Sequence, residues 1–336
     1  MHPNETQPSA AAPAAETPGR PRVTVIVPVA EVNDYVRESL PRIAAQGPDV
    51  EILLVPDEDT GESFTATRVV PSGPIGPAAK RDMAAAEARG EFLAFLDDDA
   101  YPAPGWLEAA LERFKDPEVA AVGGPAVTPA DEPLMRAASG AVYESRLASG
   151  GYVYRYLPRP ARLVDDYPTV NLIVRADVFR RLGGFKSEWW PGEDTKLCLD
   201  MTKGLGHKIV YDPKVFVWHH RRPLFWRHFR QVAGYALHRG HFARVYPQTS
   251  LRPAYFVPSL FVVFLVAGPL AALAWRPAGW IWAAVMGLYG ALVVGAAARH
   301  LARPALAALV AVGIVLTHIV YGVLFVAGLA APRLRH

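Results

Sequence analysis

Hydrophobic and polar positions follow two regimes along this chain. Up to about residue 254, short apolar runs alternate with mixed segments; beyond it, apolar residues run almost unbroken. In the first regime the runs Arg22–Pro28, Glu51–Val55, Ala66–Val70, Phe92–Leu96, Val119–Val122, Thr169–Arg175 and His207–Tyr211 predict strands. Helices are predicted from Asn33 to about Gln46, Ala78 to Arg89, Pro104 to Phe114, Asp177 to Leu182 and Gly192 to Lys203, several bounded by glycine or proline. Strands alternating with helices at this spacing imply right-handed βαβ units and a parallel sheet. Residues 125–165 follow neither period. Tyr143, Arg146, Tyr152, Tyr154, Arg155 and Tyr156 fall there, which fits either an acceptor-binding region or an irregular packed insertion.

In the second regime, Phe256–Trp275, Ala278–Ala298 and Ala305–Ala331 each supply the roughly 20 apolar residues that cross a hydrocarbon layer. Three membrane helices are therefore expected within residues 255–332, with Trp275, Trp280 and Trp282 at an interface. His318 is the one titratable intrusion, expected as a neutral imidazole bonded to a neighbouring helix. Residues 221–254 mix Phe, Trp and Leu with Arg and His and predict an amphipathic juxtamembrane segment. That segment fits a membrane surface, or a cover over a bound donor through Arg230, Gln231 and Arg239. Its arginines, with Arg299 and Arg303, place the residues before it in the cytoplasm by the positive-inside rule. Arg333 and Arg335 run against this, because three spans put them on the other side. A re-entrant third segment or a tolerated exception would reconcile them.

Composition sharpens this outline. A hydrophobic content of 51% and a mean hydropathy of +0.12 come from the second regime. The net charge of +3 gives no general attraction to nucleic acid, and no nucleic-acid partner is expected. The single cysteine, Cys198, excludes an internal disulfide and is expected as a small apolar filler. Residues 1–21 are rich in Ala, Pro, Thr and Glu; they lack the basic start and apolar core of a signal peptide and predict a disordered tail.

The chemistry concentrates where Phe92–Leu96 ends, at Asp97-Asp98-Asp99. Ligands of open α/β sheets lie beyond the carboxyl ends of the strands. Adjacent carboxylates repel unless a cation compensates them. Hard oxygen donors of this kind suit Mg2+ or Mn2+, which bridge protein carboxylates and a substrate diphosphate. Farther on stand Glu193-Asp194 at a predicted helix start, and Trp218-His219-His220-Arg221-Arg222 after the last predicted strand. Asp194 is the candidate general base, with Glu193 as an acceptor-binding group or in the exchanged role. His219 is a candidate cation ligand, while His220 and Arg221, like Lys80 and Arg81, are candidates for donor binding.

In their order these motifs resemble those of the family 2 glycosyltransferases, over roughly Val23 to Gly240. The resemblance rests on Val25-Ile26-Val27-Pro28, Asp57, Ala78-Ala79-Lys80-Arg81-Asp82, Asp97-Asp98-Asp99, Gly183-Gly184-Phe185 and Gly192-Glu193-Asp194. It implies a GT-A domain, Rossmann-like with a mixed, mostly parallel sheet, over residues 22–220, followed by a C-terminal bundle of transmembrane helices. It further implies that Pro28 and Asp57 border the nucleotide, Asp98 meets the ribose, Asp97 and Asp99 hold the cation, and Asp194 is the catalytic base. Pro56 stands where an aspartate is common, and Asp82 where asparagine is usual. Gln231-Val232-Ala233-Gly234-Tyr235 lacks the Gln-x-x-Arg-Trp signature of processive synthases. The expected activity is metal-dependent, inverting transfer of a sugar from a cytoplasmic nucleotide-diphosphate donor to a hydroxyl of a lipid-linked or cell-surface glycan. The enzyme is expected to contact membrane lipids as a multi-pass protein of the cell membrane. A polyprenyl-phosphate sugar transferase and a catalytically inactive membrane assembly or export subunit are the alternatives.

Overall fold

A computed structural model describes residues 21–186, 189 and 191–334. The chain opens with strand β1 (Val23–Pro28), helix α1 (Asp34–Ala44), β2 (Val50–Val55), β3 (Thr67–Val69) and α2 (Pro77–Glu87). Asn33 starts α1 because its side-chain oxygen accepts the amides of Tyr35 and Val36 at 3.0 and 3.1 Å. Next come β4 (Phe92–Leu96), β5 (Ala100–Pro102), α3 (Trp106–Arg113), β6 (Val119–Gly123) and β7 (Ala126–Val127). Residues 125–165, which carried no period, contain α4 (Leu134–Glu144), the short α5 (Arg146–Ser149) and β8 (Arg162–Val164). The domain finishes with β9 (Asn171–Arg175), α6 (Ala176–Leu182), α7 (Glu193–Leu199), β10 (Lys208–Tyr211) and β11 (Val217–His219).

The main sheet has the order β3-β2-β1-β4-β9-β6-β10-β8. It is mixed rather than parallel throughout. β1 pairs in parallel with β2 and β4, and β6 with β10, but β9 runs antiparallel to both β4 and β6. Central strands β1 and β4 are wholly buried, as runs such as VTVIVP and FLAFL require when both faces are covered. Tyr211 does not end the sheet architecture: β11 follows it and forms a second sheet, β5-β11-β7. Those strands are two or three residues long, too short for an alternation to show.

A buried asparagine joins the two sheets. Asn171 Nδ2 donates to the carbonyls of Gly124 and Val215, both at 2.8 Å, and its oxygen accepts the Trp106 indole N–H at 2.9 Å. Asn171→Ala strands two buried polar groups, the Val215 carbonyl and the Trp106 indole N–H, while Gly124 keeps the Tyr167 hydroxyl. It is expected to cost about 3 kcal/mol, measured as a lowered thermal midpoint of the purified chain. An unchanged midpoint would refute this role. Cys198 is buried beside Tyr167, whose amide lies 3.4 Å from its sulfur, consistent with a filler.

The C-terminal part comprises α8 (Trp226–Val245), α9 (Pro247–Ser250), α10 (Pro253–Ala274), α11 (Arg276–Ala297) and α12 (Pro304–Ala330). Three of these helices, α10, α11 and α12, are long and apolar enough to cross a membrane. His318 lies between the Tyr289 hydroxyl at 2.9 Å and the Leu147 carbonyl at 3.0 Å. Its Nε2 therefore donates and its Nδ1 accepts, the bonded neutral ring that an apolar surrounding demands.

Candidate active site

The carboxylate turn forms because β4 leaves the core at Leu96 and immediately reverses. The Ala100 amide donates to the Asp97 carbonyl at 3.1 Å, and β5 then pairs antiparallel with β11, placing Ala100 opposite His219. Asp99 is thereby set against His219, with Oδ1 3.0 Å from Nε2. Arg221 Nη1 lies 2.7 Å from His219 Nδ1. A guanidinium only donates, so Nδ1 accepts and Nε2 carries the proton towards Asp99. Burial works to raise the Asp99 carboxyl, but His219, Arg222 and Arg221 outweigh it and hold the group below its usual range. Asp98 behaves in the opposite way. Burial first, then the charge of Asp99, pushes it up to about 6, although Asn33 Nδ2 donates to its Oδ2 at 2.9 Å.

Lys80 and Arg81, side by side near the start of α2, are both buried. Lys80 Nζ ion-pairs with Asp57 and donates to the carbonyls of Val29 and, at 3.3 Å, Val55. It therefore ties together the chain just past Pro28 and the end of β2. Arg81 reaches Asp97 at 2.6 Å with one arm and Glu193 at 3.2 Å with the other. The metal-motif turn and the start of α7 are thus bridged by one guanidinium.

Gly192 enters α7 with φ +126°, a backbone that favours glycine, and its amide donates to Glu193 Oε2 at 3.0 Å. Glu193 is buried against Arg81, while Asp194 beside it is half-buried. The Thr195 amide donates to Asp194 Oδ1 at 2.7 Å. Burial, and then the charge of Asp166, raise the Asp194 carboxyl. Asp166 accepts Thr195 Oγ1 at 3.0 Å and pairs with Arg155 at 3.2 Å and with Arg239 of α8 at 3.1 Å. The sequence reading named Arg155 and Arg239 but missed Asp166, which sits in an irregular stretch with no motif to mark it and whose partners Arg155, Thr195 and Arg239 are 11, 29 and 73 positions away.

Burial, then Asp194, push Glu193 up to about 7. Between the unfolded value of 4.5 and about 7 the folded chain holds a proton that the unfolded chain releases, so stability falls as pH rises through that window. Glu193→Gln, neutral at every pH, is expected to match the native midpoint at about pH 5 and to exceed it at about pH 8 by an effect of order 1–3 kcal/mol. Parallel pH curves for the two proteins would contradict this.

The two candidates after His219 take different places. The ring of His220 is held between Glu132 at 2.8 Å and Glu38 at 2.9 Å and stacks on Tyr35, so it cross-links α1 to the loop before α4. Hydrogen bonding to Glu132 chiefly raises it. Arg221 is buried, donating to the Ala126 carbonyl and to Thr128 at 3.2 Å, and orients His219 from behind. Asp57, Lys80, Arg81, Asp97, Asp98, Asp99, His219, Glu193 and Asp194 thus lie in one connected region at the sheet edge, with Pro28 at its margin.

Among the described residues no three His, Cys, Asp or Glu side chains converge closely enough to hold an ion. Asp99 is a donor of the type a divalent cation takes, whereas His219 Nε2 here carries the proton of the Asp99 hydrogen bond and would ligate only after giving it up and turning Nδ1 from Arg221. Mg2+ and Mn2+ sites of this kind draw their remaining ligands from water and substrate phosphate, so two or three protein donors suffice.

A doubly covered mixed sheet, with an Asp turn at its carboxyl edge and a second small sheet carrying a histidine to that turn, defines the GT-A class. Residues 24–183 match the family profile of Glycosyl transferase family 2, and the chain carries a domain of that family. The Pre-mycofactocin glycosyltransferase of Mycobacterium tuberculosis, in strains CDC 1551 / Oshkosh and ATCC 25618 / H37Rv, is 34% identical over 150 residues. That match covers 44% of this chain and only 30% of those relatives. The mannosyltransferase PcManGT from Pyrobaculum calidifontis, solved in complex with GDP-Man and Mn2+, is 22% identical with a TM-score of 0.54. The likeness covers 93% of this chain and 90% of that one, so the shared fold includes C-terminal helices.

Proposed function

We propose that this chain is a membrane-anchored, metal-dependent, inverting glycosyltransferase acting on a nucleotide-diphosphate sugar. The observation that carries the reading is the bridge Asp97–Arg81–Glu193, which holds the Asp turn and the Glu193-Asp194 pair at one edge of the sheet. Asp99 and His219, with Asp97, are the residues that would hold Mg2+ or Mn2+. When bound there, the ion supplies Lewis-acid neutralisation of the departing diphosphate. Asp57 and Asp98 would meet the base and the ribose, as the family resemblance implies, with Asn33 orienting Asp98.

On the acceptor side, Asp194 Oδ1 is engaged by the Thr195 amide, which leaves Oδ2 for a proton. Its raised affinity for a proton, caused by burial and by Asp166, makes it a better base than an ordinary carboxylate. As the acceptor oxygen forms its bond to the anomeric carbon, the bond from that carbon to the phosphate oxygen breaks. The diphosphate leaves with the electron pair, Asp194 takes the hydroxyl proton, and the single displacement inverts the centre. Glu193, enclosed by Arg81, keeps the two halves in register.

The acceptor is a hydroxyl of a lipid-linked or cell-surface glycan. The apolar helices α10–α12 would tether the domain at the membrane, and the arginines of α8 with Arg299 and Arg303 support a cytoplasmic face for it. The test uses the full chain in detergent with a panel of nucleotide sugars and Mn2+, beside Asp99→Ala. Cation-dependent turnover of one donor, lost in the variant, is expected. Absence of both turnover and nucleotide binding by calorimetry would instead indicate an inactive assembly subunit.

A further inference from the structure

α12 makes the wrong contacts for a helix that crosses a bilayer. From Gly313 to its end it runs alongside α8 in the same direction. Leu224, just before α8, meets Gly313, and His228 Nε2 lies 3.2 Å from Thr317 Oγ1. Farther along, Leu237 meets Gly328, Gly240 meets Phe325 and Leu329, and His241 Nδ1 lies 3.2 Å from the Ala331 carbonyl. The fit is backbone to backbone: a Cβ added at Gly328 would fall 1.9 Å from the Leu237 carbonyl oxygen, and one at Gly240 2.0 Å from that of Phe325. Yet α8 carries Arg227, Arg230, Arg239 and Arg244. Arginine at a helix centre costs roughly 2.5–3.5 kcal/mol for insertion, so α8 does not cross. A helix locked parallel to it from Gly313 to its end does not cross either.

The other neighbours of α12 agree. Towards the soluble domain, Gly313 lies against Val142 of α4, and His318 donates to Leu147 of α5. Towards the α10–α11 hairpin, Phe325 packs on Phe256, Gly322 on Pro258 and Ser259, and His318 on Phe261 and Tyr289. Leu306 and Val310 share a cluster with Val293. A helix of 27 residues, about 40 Å long, thus meets the hairpin near its open end, at Phe256–Phe261 of α10 and Tyr289–Val293 of α11. The rest of the hairpin leaves Val266, Leu270, Leu273, Trp280, Ile281 and Leu288 exposed, as lipid-facing residues should be. Val312, Val323 and Val326 of α12 are exposed as well.

We infer that α12 lies in the plane of the near leaflet beneath α8 and α4, its Val312, Val323 and Val326 facing acyl chains, and that only α10 and α11 span. The soluble domain then sits on a hydrophobic floor continuous with the hairpin. Arg333 comes to the same side as Arg299, Arg303 and the arginines of α8, as the positive-inside rule asks; Arg335 lies outside the described residues. The inference rests on the membrane anchoring proposed above.

The test places single cysteines in the full chain carrying Cys198→Ala: Glu108→Cys on the soluble domain, Pro277→Cys at the hairpin tip, Leu301→Cys and Leu334→Cys. Right-side-out and inverted membrane vesicles are treated with a membrane-impermeant maleimide. Labelling of positions 108, 301 and 334 in one vesicle orientation, and of 277 in the other, is expected. Position 334 reacting together with 277 would overturn the in-plane placement while leaving the anchor intact. All four reacting from one side would overturn both the placement and the anchor.

Discussion

Asp99→Asn removes cation-dependent turnover. The change keeps the size of the side chain and an acceptor oxygen for the His219 Nε2 proton, so the β5–β11 pairing that presents the turn should survive. What it removes is the negative charge that, in the proposed mechanism, holds the cation against the leaving diphosphate. Loss of roughly 4 kcal/mol of charge stabilisation corresponds to about a thousandfold in kcat. Calorimetry should show Mn2+ binding lost in the same variant. Asp98→Asn, at a carboxyl already pushed up to about 6, should be milder and act mainly on donor KM. A native rate in Asp99→Asn would remove the cation from the mechanism.

Asp194→Asn carries the second large effect, a fall of about a hundredfold to ten-thousandfold in kcat with a hydroxyl acceptor. Because the Asp194 carboxyl is raised, the acidic limb of kcat/KM in the native enzyme should lie above the ordinary carboxylate range, and the variant should lose that limb. Asp166→Asn provides the companion test. It weakens the charge that raises Asp194, so the limb should move towards lower pH while part of the rate survives. A polyprenyl-phosphate acceptor needs no strong base; with it, Asp194→Asn should be nearly silent and changes at the basic residues before α10 severe. Comparing hydroxyl and phosphate acceptors in this variant therefore decides the acceptor chemistry.

Much of the catalytic domain is legible in the order of its residues because burial and period act locally. FLAFL can only be a strand covered on both faces, and three aspartates directly after it must emerge at the edge of a sheet. Asn33 announces the start of α1, and the unbroken apolar runs after Tyr255 announce helices long and apolar enough to cross a membrane. The antiparallel β9, the second sheet and the helices α4 and α5 are not legible in this way. Their strands are short, or their pattern is set by partners distant in sequence, as Asn171 is by Trp106, Gly124 and Val215.

The residue types of the site, its three aspartates, Glu193-Asp194 and the histidine pair, were determined by the sequence itself, because chemistry demands those groups whatever surrounds them. Only the tertiary structure decided their partners. It turned His219 to Asp99 and His220 to Glu38 and Glu132, although the two are adjacent, because neighbours on a strand point to opposite faces. It closed Arg81 over Asp97 and Glu193, and it put Asp166 beneath Asp194. It likewise laid α12 along the arginine-bearing α8, which hydropathy cannot foresee: an apolar helix has the same sequence whether lipid or protein covers it.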